Sequence, residues 1–211
     1  QVKIGVAVYN EEDVYVSKIC GYLEDEIFQY EKDHPGVEIR KKIADARGSQ
    51  QEQNDQIDQF ISLDYDLLLV NIVDRTNALR RENGAAALRV NDKLMQAAQV
   101  RADEMASSSV YSHTRPDGRR NTSVTDCPYV GENIHRIADW ALQGKSVSEA
   151  AVWSWNLSGG HRDNLLEKNY AETGVGLSRG VNDSGEACWY CVQLFLWNGY
   201  SISWVDTPAA K

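Results

Sequence analysis

The sequence predicts two modules, an α/β unit over residues 1–74 and a domain of mixed helices and strands, α+β in class, over residues 75–211. A length of 211 residues suits one large domain or two small ones. Charge divides the chain unevenly, because residues 1–76 carry 16 acidic and 8 basic side chains whereas residues 77–211 carry 15 and 14. All six tryptophans also lie in the second part. We therefore place the join near Asp74.

Strands and helices alternate in the first module. It opens with a short β-branched run that is typical of a buried strand. Apolar side chains then recur at steps of three and four residues, as on one face of a helix, and Pro35 ends that helix. An order of β-α-β-α-β predicts parallel strands joined by right-handed crossovers. The predicted elements are a strand at 3–9, a helix through Val16, Ile19, Cys20, Leu23 and Ile27, a strand at 37–40, a helix at 49–62 and a strand at 66–73.

Helices come first and strands last in the second module, which predicts an α-β-α arrangement. Asn91 is a good N-cap for a helix with an apolar stripe. Residues 187–197 are apolar on both faces, so we expect that strand at the centre of a sheet. The predicted helices cover 75–81, Asn91 through Leu94, Ala98, Ala102 and Met105, and Ser146 or Ser148 through Val152 and Trp155 as far as Gly159-Gly160. The predicted strands are 174–178, 187–197 and 200–205.

Composition excludes several classes of function. A net charge of −9 and a pI near 4.9 argue against nucleic acid and anionic membranes, since both need clustered Lys and Arg. No apolar run approaches the roughly 18 residues of a membrane span. Because the chain begins with Gln1, we expect any export leader to have been removed.

The cysteines leave their pairing open. Cys188 and Cys191 have C-x-x-C spacing, which in a strand puts the thiols on opposite faces and suits neither zinc nor a redox pair. A disulfide from Cys127 to one of them can form if the protein is exported.

Three segments of the first module carry a family resemblance: IGVAVY (4–9), QNDQID (53–58) and LVNIVD (69–74). They resemble the start of the bacterial periplasmic galactose/glucose-binding proteins, which implies a flavodoxin-like parallel sheet. The second lobe of that family is absent, so we expect a truncated unit. The resemblance assigns sugar contacts to Asp13, whose carboxylate accepts hydroxyl groups, and to Tyr15, whose ring stacks on the sugar. The alternative is a structural unit whose open sheet edges make a homo-oligomer.

Four segments of the second module together carry a second family resemblance, because they occur in one particular order along the chain. They are NALRRENG (77–84), YSHTRPDG (111–118), GENI (131–134) and WNLSGGHRDN (155–164). With GVG (174–176) and VQLF (192–195), they resemble the CAP superfamily, also called SCP-like extracellular domains, in its short bacterial form. The resemblance covers residues 75–199. It implies a CAP-type α-β-α sandwich and an exported bacterial protein, either secreted or held in the cell envelope.

Members of that family carry a cleft with two histidines and two glutamates. By matching segments, His113, Glu132 and His161 fill three of the four positions, and Ser158 stands where the second glutamate is usual. Two imidazoles that converge can bind zinc, with water as the remaining ligand, so His113 and His161 are candidate metal ligands. Glu132 would then orient one ring through its N–H. The alternative is a hydrogen-bonded histidine pair that stabilises the cleft.

Several other polar and aromatic residues are predicted to be structural. Arg80 either pairs with acids or holds an anionic ligand, and pairing is the expectation. Gln193 lies in an apolar strand and is expected to satisfy a buried polar group. Trp153 and Trp155 point to different helix faces, so one is expected in the core.

Three functions remain open on this reasoning. The first and expected one is a non-catalytic extracellular binding module whose partner is a glycan, cell-wall or protein component. The second is a protease or glycan-cleaving hydrolase in which Glu132 and a histidine activate water, with or without zinc. No serine or cysteine lies in a nucleophile motif, which counts against it. The third is residual glucose or galactose binding by the first module.

Overall fold

The computed structural model describes residues 2–8, 14–47, 52, 56, 59, 67–69 and 72–209, without the side chains of residues 14–16, 18, 19 and 67–69. The chain divides into two compact units, residues 1–74 and 75–211. Each unit has its own sheet. Among the described residues, no helix has the length and apolar character needed to cross a membrane.

The first unit contains a three-stranded parallel sheet. Strand β1 (Val2–Val8) lies between β2 (Ile39–Asp45) and β3 (Leu67–Leu69), and helix α1 (Val14–Asp33) follows β1. The helix carries apolar residues at the predicted spacing, and they pack on one face of the strands. The resulting cluster consists of Ile4, Val6, Val8, Cys20, Leu23, Ile27, Ile39 and Ile43.

Two predicted boundaries in this unit are wrong. The third strand does not extend to Val73, because helix α2 (Ile72–Glu82) begins at Ile72 and takes the end of the apolar run. The second strand covers Ile39–Asp45 and so starts and ends later than the predicted 37–40. The helix expected at 49–62 lies outside the described residues apart from Glu52, Gln56 and Gln59.

The second unit contains a four-stranded sheet in the order β4-β6-β7-β5. Strand β7 lies between two antiparallel partners, β5 and β6, which agrees with its apolar character on both faces. The short β4 extends the sheet in parallel on β6. The bounds are Arg89–Val90 for β4, Val130–Ala138 for β5, Tyr170–Val181 for β6 and Ala187–Trp197 for β7.

Helices cover both faces of this sheet. Helix α3 (Asp92–Ser108) starts at Asn91, whose side chain accepts hydrogen bonds from the amides of Lys93 and Leu94. Its apolar stripe packs on the face formed by the even-numbered residues of β7, together with Val130 and Ile134 of β5. Helix α2 lies on the opposite face, as do α4 (Val147–Leu157) and α5 (Gly159–Leu166).

Glycines of β6 let helix α3 approach the sheet closely. A Cβ atom on Gly176 would lie 2.2 Å from the carbonyl oxygen of Ala98, and one on Gly174 would lie 2.2 Å from the backbone of Leu94. Both distances are far below contact, so the helix backbone occupies the space that any side chain would need. The GVG segment is therefore explained by packing.

Three features of the second unit differ from the predictions. Strand β5 was not predicted as a strand, and the Gly159-Gly160 pair that ends one helix also begins α5. The strand expected at 200–205 is wrong, because that segment forms only an isolated bridge between Val205 and Thr125.

The cysteines are buried free thiols, and burial raises the pKa of Cys191 to about 12.

Candidate functional site

The candidate cleft lies along β5, the edge strand of the second sheet. Side chains alternate along a strand, so Glu132 points to the face covered by α3 while Asn133 and His135 point to the opposite face. The edge of β5 thus separates two groups of polar side chains. His113 approaches Glu132 from one side, and His161 lies at the start of α5 on the other.

On the α3 face, Glu132 is the centre of a buried charged cluster. Its Oε1 accepts a hydrogen bond from Nδ1 of His113 at 2.8 Å, and its Oε2 accepts one from Nε of Arg101 at 3.0 Å. Nη1 of Arg101 donates to Glu104 at 2.7 Å. The side chains of Glu132, Arg101 and Glu104 have no exposed surface. Buried charges persist only when they are paired in this way.

This arrangement orients His113. A carboxylate bound to a guanidinium can only accept hydrogen bonds, so the proton of a neutral His113 ring lies on Nδ1. Nε2 is then the nitrogen that is free of Glu132. The His113 side chain is 54% exposed, whereas Glu132 is closed off from solvent. The cleft therefore presents an oriented imidazole, with the carboxylate behind it.

His161 lies close enough to His113 to be affected by its charge. Burial lowers the pKa of His161, and the positive charge of a protonated His113 lowers it further. The backbone carbonyl of His161 accepts a 3.0 Å hydrogen bond from Nδ2 of Asn133, which fixes the start of α5 against β5. The structure thus joins His113 to Glu132 directly, and it places His161 at the start of α5, within electrostatic range of His113.

No sequence pattern singles out His135, which is a further member of this region. It lies on the face of β5 opposite Glu132 and meets Trp155 edge-on, with 6.5 Å between ring centroids. Burial lowers its pKa to about 4, and His161 adds to the effect. Its Nε2 is buried and has no hydrogen-bond partner among the described residues. His135 is therefore neutral at physiological pH.

The outer edge of β5 is covered by side chains rather than by another strand. The carbonyl of Ile134 accepts hydrogen bonds from Nε1 of Trp155 at 2.8 Å and from the hydroxyl of Tyr111 at 3.0 Å. Nδ2 of Asn164 donates to the carbonyl of Glu132 at 3.3 Å. These contacts satisfy an edge that would otherwise pair with other chains. They also confirm that Trp155 is core, while Trp153 is 59% exposed.

The position of the usual second glutamate offers no carboxylate. Ser158 lies between α4 and α5, where it ends one helix and begins the next. Glu149 is in the first turn of α4, and its carboxylate lies 4.0 Å from the guanidinium of Arg75. No described contact brings Glu149 to the cleft histidines.

A zinc centre needs three or four ligands from the protein. Both oxygens of Glu132 are already bound, so this carboxylate orients His113 and does not itself reach a metal. Over the described part of the chain, no group of three or more His, Cys, Asp or Glu is arranged to hold a metal. His113 and His161 supply at most two ligands, and the residues do not fit a three- or four-ligand zinc site.

Gln193 satisfies buried polar groups, as expected, whereas the described hydrogen bonds of Arg80 go to backbone carbonyls and not to the acids that were expected. The buried guanidinium of Arg80 donates to the carbonyls of Ala86, Leu165 and Glu167 at 2.7 to 3.0 Å. Gln193 accepts from the hydroxyl of Thr76 and donates to that of Thr173, both at 3.2 Å. The predicted sugar contacts cannot be placed, because Asp13 and the side chain of Tyr15 lie outside the described residues.

Sequence reasoning missed Arg101 and Glu104, although a signal was present. Both lie on the face of α3 that carries Leu94, Ala98 and Met105, and a charged residue on an apolar stripe indicates a buried ion pair. For His135 no comparable signal exists, because its surroundings come from α4 and α5.

Comparison with known proteins gives one family match and several partial relatives. A model described as "CAP: Cysteine-rich secretory protein family" matches residues 73–195, more than half of the chain. The chain is 28% identical over 111 residues to the uncharacterized protein YkwD of Bacillus subtilis (strain 168), covering 50% of this chain and 40% of that protein. It is 30% identical over 114 residues to the uncharacterized membrane protein YlbC of the same organism, covering 51% and 31%. The chain thus spans less than half the length of these curated relatives.

Among solved structures, an extracellular protein containing a SCP domain from Bacillus anthracis is similar at 25% sequence identity, with a TM-score of 0.45. The similarity covers 60% of this chain and 39% of that one.

Proposed function

Because this chain belongs to the CAP family of cysteine-rich secretory proteins, whose model matches residues 73–195, we propose that residues 75–211 form a non-catalytic binding module. The module works outside the cytoplasm of a bacterium, either secreted or in the cell envelope. Its cleft is marked by His113, Glu132 and His161, and its ligand is an extracellular glycan, cell-wall or protein component.

The burial of Glu132 carries this proposal. A general base must reach the water or substrate whose proton it removes. Glu132 has no exposed side-chain surface, and its two oxygens are bound to His113 and Arg101. Its position suits the anchoring of an exposed imidazole, which can exchange a hydrogen bond with a bound ligand through Nε2. A carboxylate held in this way favours binding over hydrolysis.

Hydrolysis is the competing function, and the same residue distinguishes the two. A hydrolase that uses Glu132 must expose that carboxylate during turnover and break its contact with Arg101. Such a change would leave a buried guanidinium without one of its partners, which costs several kcal/mol. We therefore expect no turnover by the wild-type protein, and we expect Glu132→Gln to affect stability and ligand binding together.

Co-sedimentation of the full chain with purified insoluble peptidoglycan tests the binding proposal. The variant His113→Ala/His161→Ala removes both cleft imidazoles, and His34→Ala is the matched control, because His34 is an exposed residue of the first unit. We expect the wild type and the control to pellet equally and the double variant to remain in solution. If all three pellet equally, or none does, the cleft is not a peptidoglycan site and the proposal fails for this ligand class.

For residues 1–74 we propose a truncated unit of the galactose/glucose-binding type that serves in self-association. The parallel order β2-β1-β3 supports this, and the described pairings of the two outer strands are both with β1. Open edges of a sheet favour pairing with a second chain. Light scattering should give a mass above the 23.7 kDa of one chain. A monomer at all concentrations contradicts self-association, and heat released on titration with glucose would favour sugar binding instead.

A further inference from the structure

The ion pairs behind Glu132 form a chain that extends from the cleft to the C-terminal part of the protein. Glu104, which pairs with Arg101, also accepts two hydrogen bonds from Arg115, at 2.6 Å from Nη2 and 2.9 Å from Nε. Nη1 of Arg115 in turn donates to Asp206 at 2.7 Å. Negative and positive groups therefore alternate from the cleft to the C-terminal part of the chain. The order is His113, Glu132, Arg101, Glu104, Arg115 and Asp206.

Asp206 belongs to an extended segment that we call the strap (residues 203–209). The strap is held by hydrogen bonds to three parts of the second unit. Its start is fixed by Asp126, which accepts from the amides of Ser203 and Trp204, and by Lys93, which donates to the carbonyl of Ser203 at 2.7 Å. Its middle forms the bridge between Val205 and Thr125.

The end of the strap contacts the buried charges directly. Nη2 of Arg115 donates to the carbonyl of Thr207 at 2.9 Å, and the amide of Ala209 donates to Oε1 of Glu104 at 2.8 Å. Asp206 also pairs with Arg119 at 2.8 Å. The strap therefore supplies a carboxylate to Arg115 and a backbone donor to Glu104, which are both buried.

Alternating charges make each pair depend on the next. Arg115 shares its charge between Glu104 and Asp206, and Glu104 shares its charge between Arg115 and Arg101. Without the carboxylate of Asp206, Arg115 would draw Glu104 toward itself and weaken the contact of Glu104 with Arg101. Arg101 would then compete more strongly for Glu132. Such compensation is expected where charges are buried and unscreened.

We propose that the strap is a positioning element for the cleft, because Asp206 on Arg115 keeps Glu104 shared with Arg101 and thereby keeps Glu132 oriented on Nδ1 of His113. Release of the strap would loosen the imidazole that the cleft presents. Asp206, Arg115 and Glu104 act through other side chains and are positioning residues. The inference rests on the proposed function only in treating His113 as a residue that contacts the ligand.

The tautomer of His113 reports this coupling without any ligand. In the full chain labelled with ¹⁵N-histidine, long-range ¹H–¹⁵N spectra at pH 8 distinguish the protonated ring nitrogen from the bare one. We expect a proton on Nδ1 in the wild type and a large shift difference between the two nitrogens. In Asp206→Asn, which keeps the size of the side chain and removes its charge, we expect that difference to shrink.

Four further substitutions keep the test decisive. Arg101→Gln removes the guanidinium through which Asp206 acts on Glu132, so adding Asp206→Asn to Arg101→Gln should shrink the difference no further. Asp206→Glu restores a carboxylate and should return the difference toward the wild-type value. Asp139→Asn is the matched control, since Asp139 pairs with Arg179 at an exposed position, and it should leave the signature unchanged. If Asp206→Asn does not fold, Asp126→Asn loosens the start of the strap and should shift the signature in the same direction.

An unchanged signature in folded Asp206→Asn, or in Asp126→Asn where the former does not fold, would overturn the inference. That result leaves the proposed binding function intact, because the readout needs no ligand. Conversely, failure to bind peptidoglycan with the coupling present would overturn only the binding proposal.

Discussion

The two faces of the second sheet bury polar groups in different ways. On the α3 face, Glu132, Arg101, Glu104 and Arg115 are fully buried ions that neutralise one another. On the opposite face, the buried residues of the central strands are neutral, and Gln193 bonds to hydroxyl groups. A buried cation at that side, Arg80, is bound by backbone carbonyls.

This difference locates the rigid and the adjustable parts of the cleft. A network of buried ions is stable only with every partner in place, so the α3 face holds His113 in one orientation. Neutral hydrogen bonds contribute about 1 kcal/mol each and tolerate small shifts. On the other side of β5, the pKa values of His135 and His161 are lowered mainly by burial. Strand β5 thus has an anchored imidazole, His113, on one side and two histidines with lowered pKa values, His135 and His161, on the other.

Removing a charge from the α3 face should have the largest effect on stability. Glu104→Gln leaves Arg101 and Arg115 without their common partner, and the free energy of unfolding should fall by about 3–5 kcal/mol. Urea unfolding followed by tryptophan fluorescence reports on this unit, because all six tryptophans lie within residues 75–211. Glu149→Gln, at a partly exposed position, is the control and should change stability by less than about 0.5 kcal/mol. If Glu104→Gln and Glu149→Gln changed the free energy of unfolding equally, the α3 face would not depend on its buried ions as we describe.

A methyl group added beneath α3 should have the next largest effect. In Gly176→Ala the new Cβ meets backbone at 2.2 Å, and a packed helix cannot move aside, so we expect a loss of about 3 kcal/mol. In Gly131→Ala, on the opposite face, the obstacle is the hydroxyl end of Tyr170 at 2.1 Å, which can turn away, and the loss should be smaller. Gly160→Ala, with open space around it, is the control. The thermal unfolding midpoint should therefore be lowest for Gly176→Ala, higher for Gly131→Ala and highest for Gly160→Ala. A midpoint lower for Gly131→Ala than for Gly176→Ala would show that the α3 face is the more loosely packed one.

Acid should weaken the fold through the histidine side of β5. The pKa of His135 is lowered to about 4 by burial, so its neutral form stabilises the fold fully above the unfolded value of about 6.5. That contribution is lost as pH falls from 6.5 toward 4, and the lowered pKa of His161 acts in the same direction. We expect a loss of about 2 kcal/mol between pH 7 and 4.5, after allowing for partial exposure.

The variant His135→Asn should remove most of this slope. The depressed pKa values of Asp126 and Asp206, due first to their hydrogen bonds with Ser203 and Arg115, affect stability only below about pH 4. The pH range over which the histidines affect stability therefore lies above the range over which these two aspartates do. An unchanged slope in His135→Asn, measured by urea unfolding at pH 7, 5.5 and 4.5, would assign the effect to other groups.

Loss of a single neutral hydrogen bond at the edge should have the smallest effect. Tyr111→Phe removes the hydroxyl that donates to the carbonyl of Ile134, which keeps its bond from Trp155. Because the acceptor stays satisfied, we expect a loss of about 0.5–1 kcal/mol. Trp155→Phe, which also leaves a cavity in the core, should cost more. Equal losses would mean that the edge contacts of β5 are interchangeable.

Local patterns predicted the elements that depend on local physics. The cap at Asn91, the stripe of α3 and the central place of β7 follow from residues that are adjacent in sequence. Strand β5 could not be predicted in this way, because Glu132, Asn133 and His135 interrupt any alternation of apolar and polar residues. Each of those polar groups is accommodated by a partner or neighbour distant in sequence.

The wrong strand at 200–205 has a similar cause. Tyr200, Ile202 and Trp204 alternate as in a strand, but of these three only Ile202 is buried. The backbone nevertheless bonds to Asp126 and Lys93 in place of a neighbouring strand. Segment order singled out the three predicted cleft residues, whereas the ions behind Glu132 and the proposed role of the strap depend on tertiary contacts that no segment contains.

Analysis of both fractions from the peptidoglycan sedimentation tests the central claim most directly, because one experiment measures binding and turnover together. The account predicts that the wild-type chain pellets and that the supernatant contains no more soluble glycan or peptide fragments than a blank without protein. Soluble fragments that appear with the wild type and not with the blank would contradict it, and their loss with a Glu132→Gln variant shown to be folded would make Glu132 a catalytic residue.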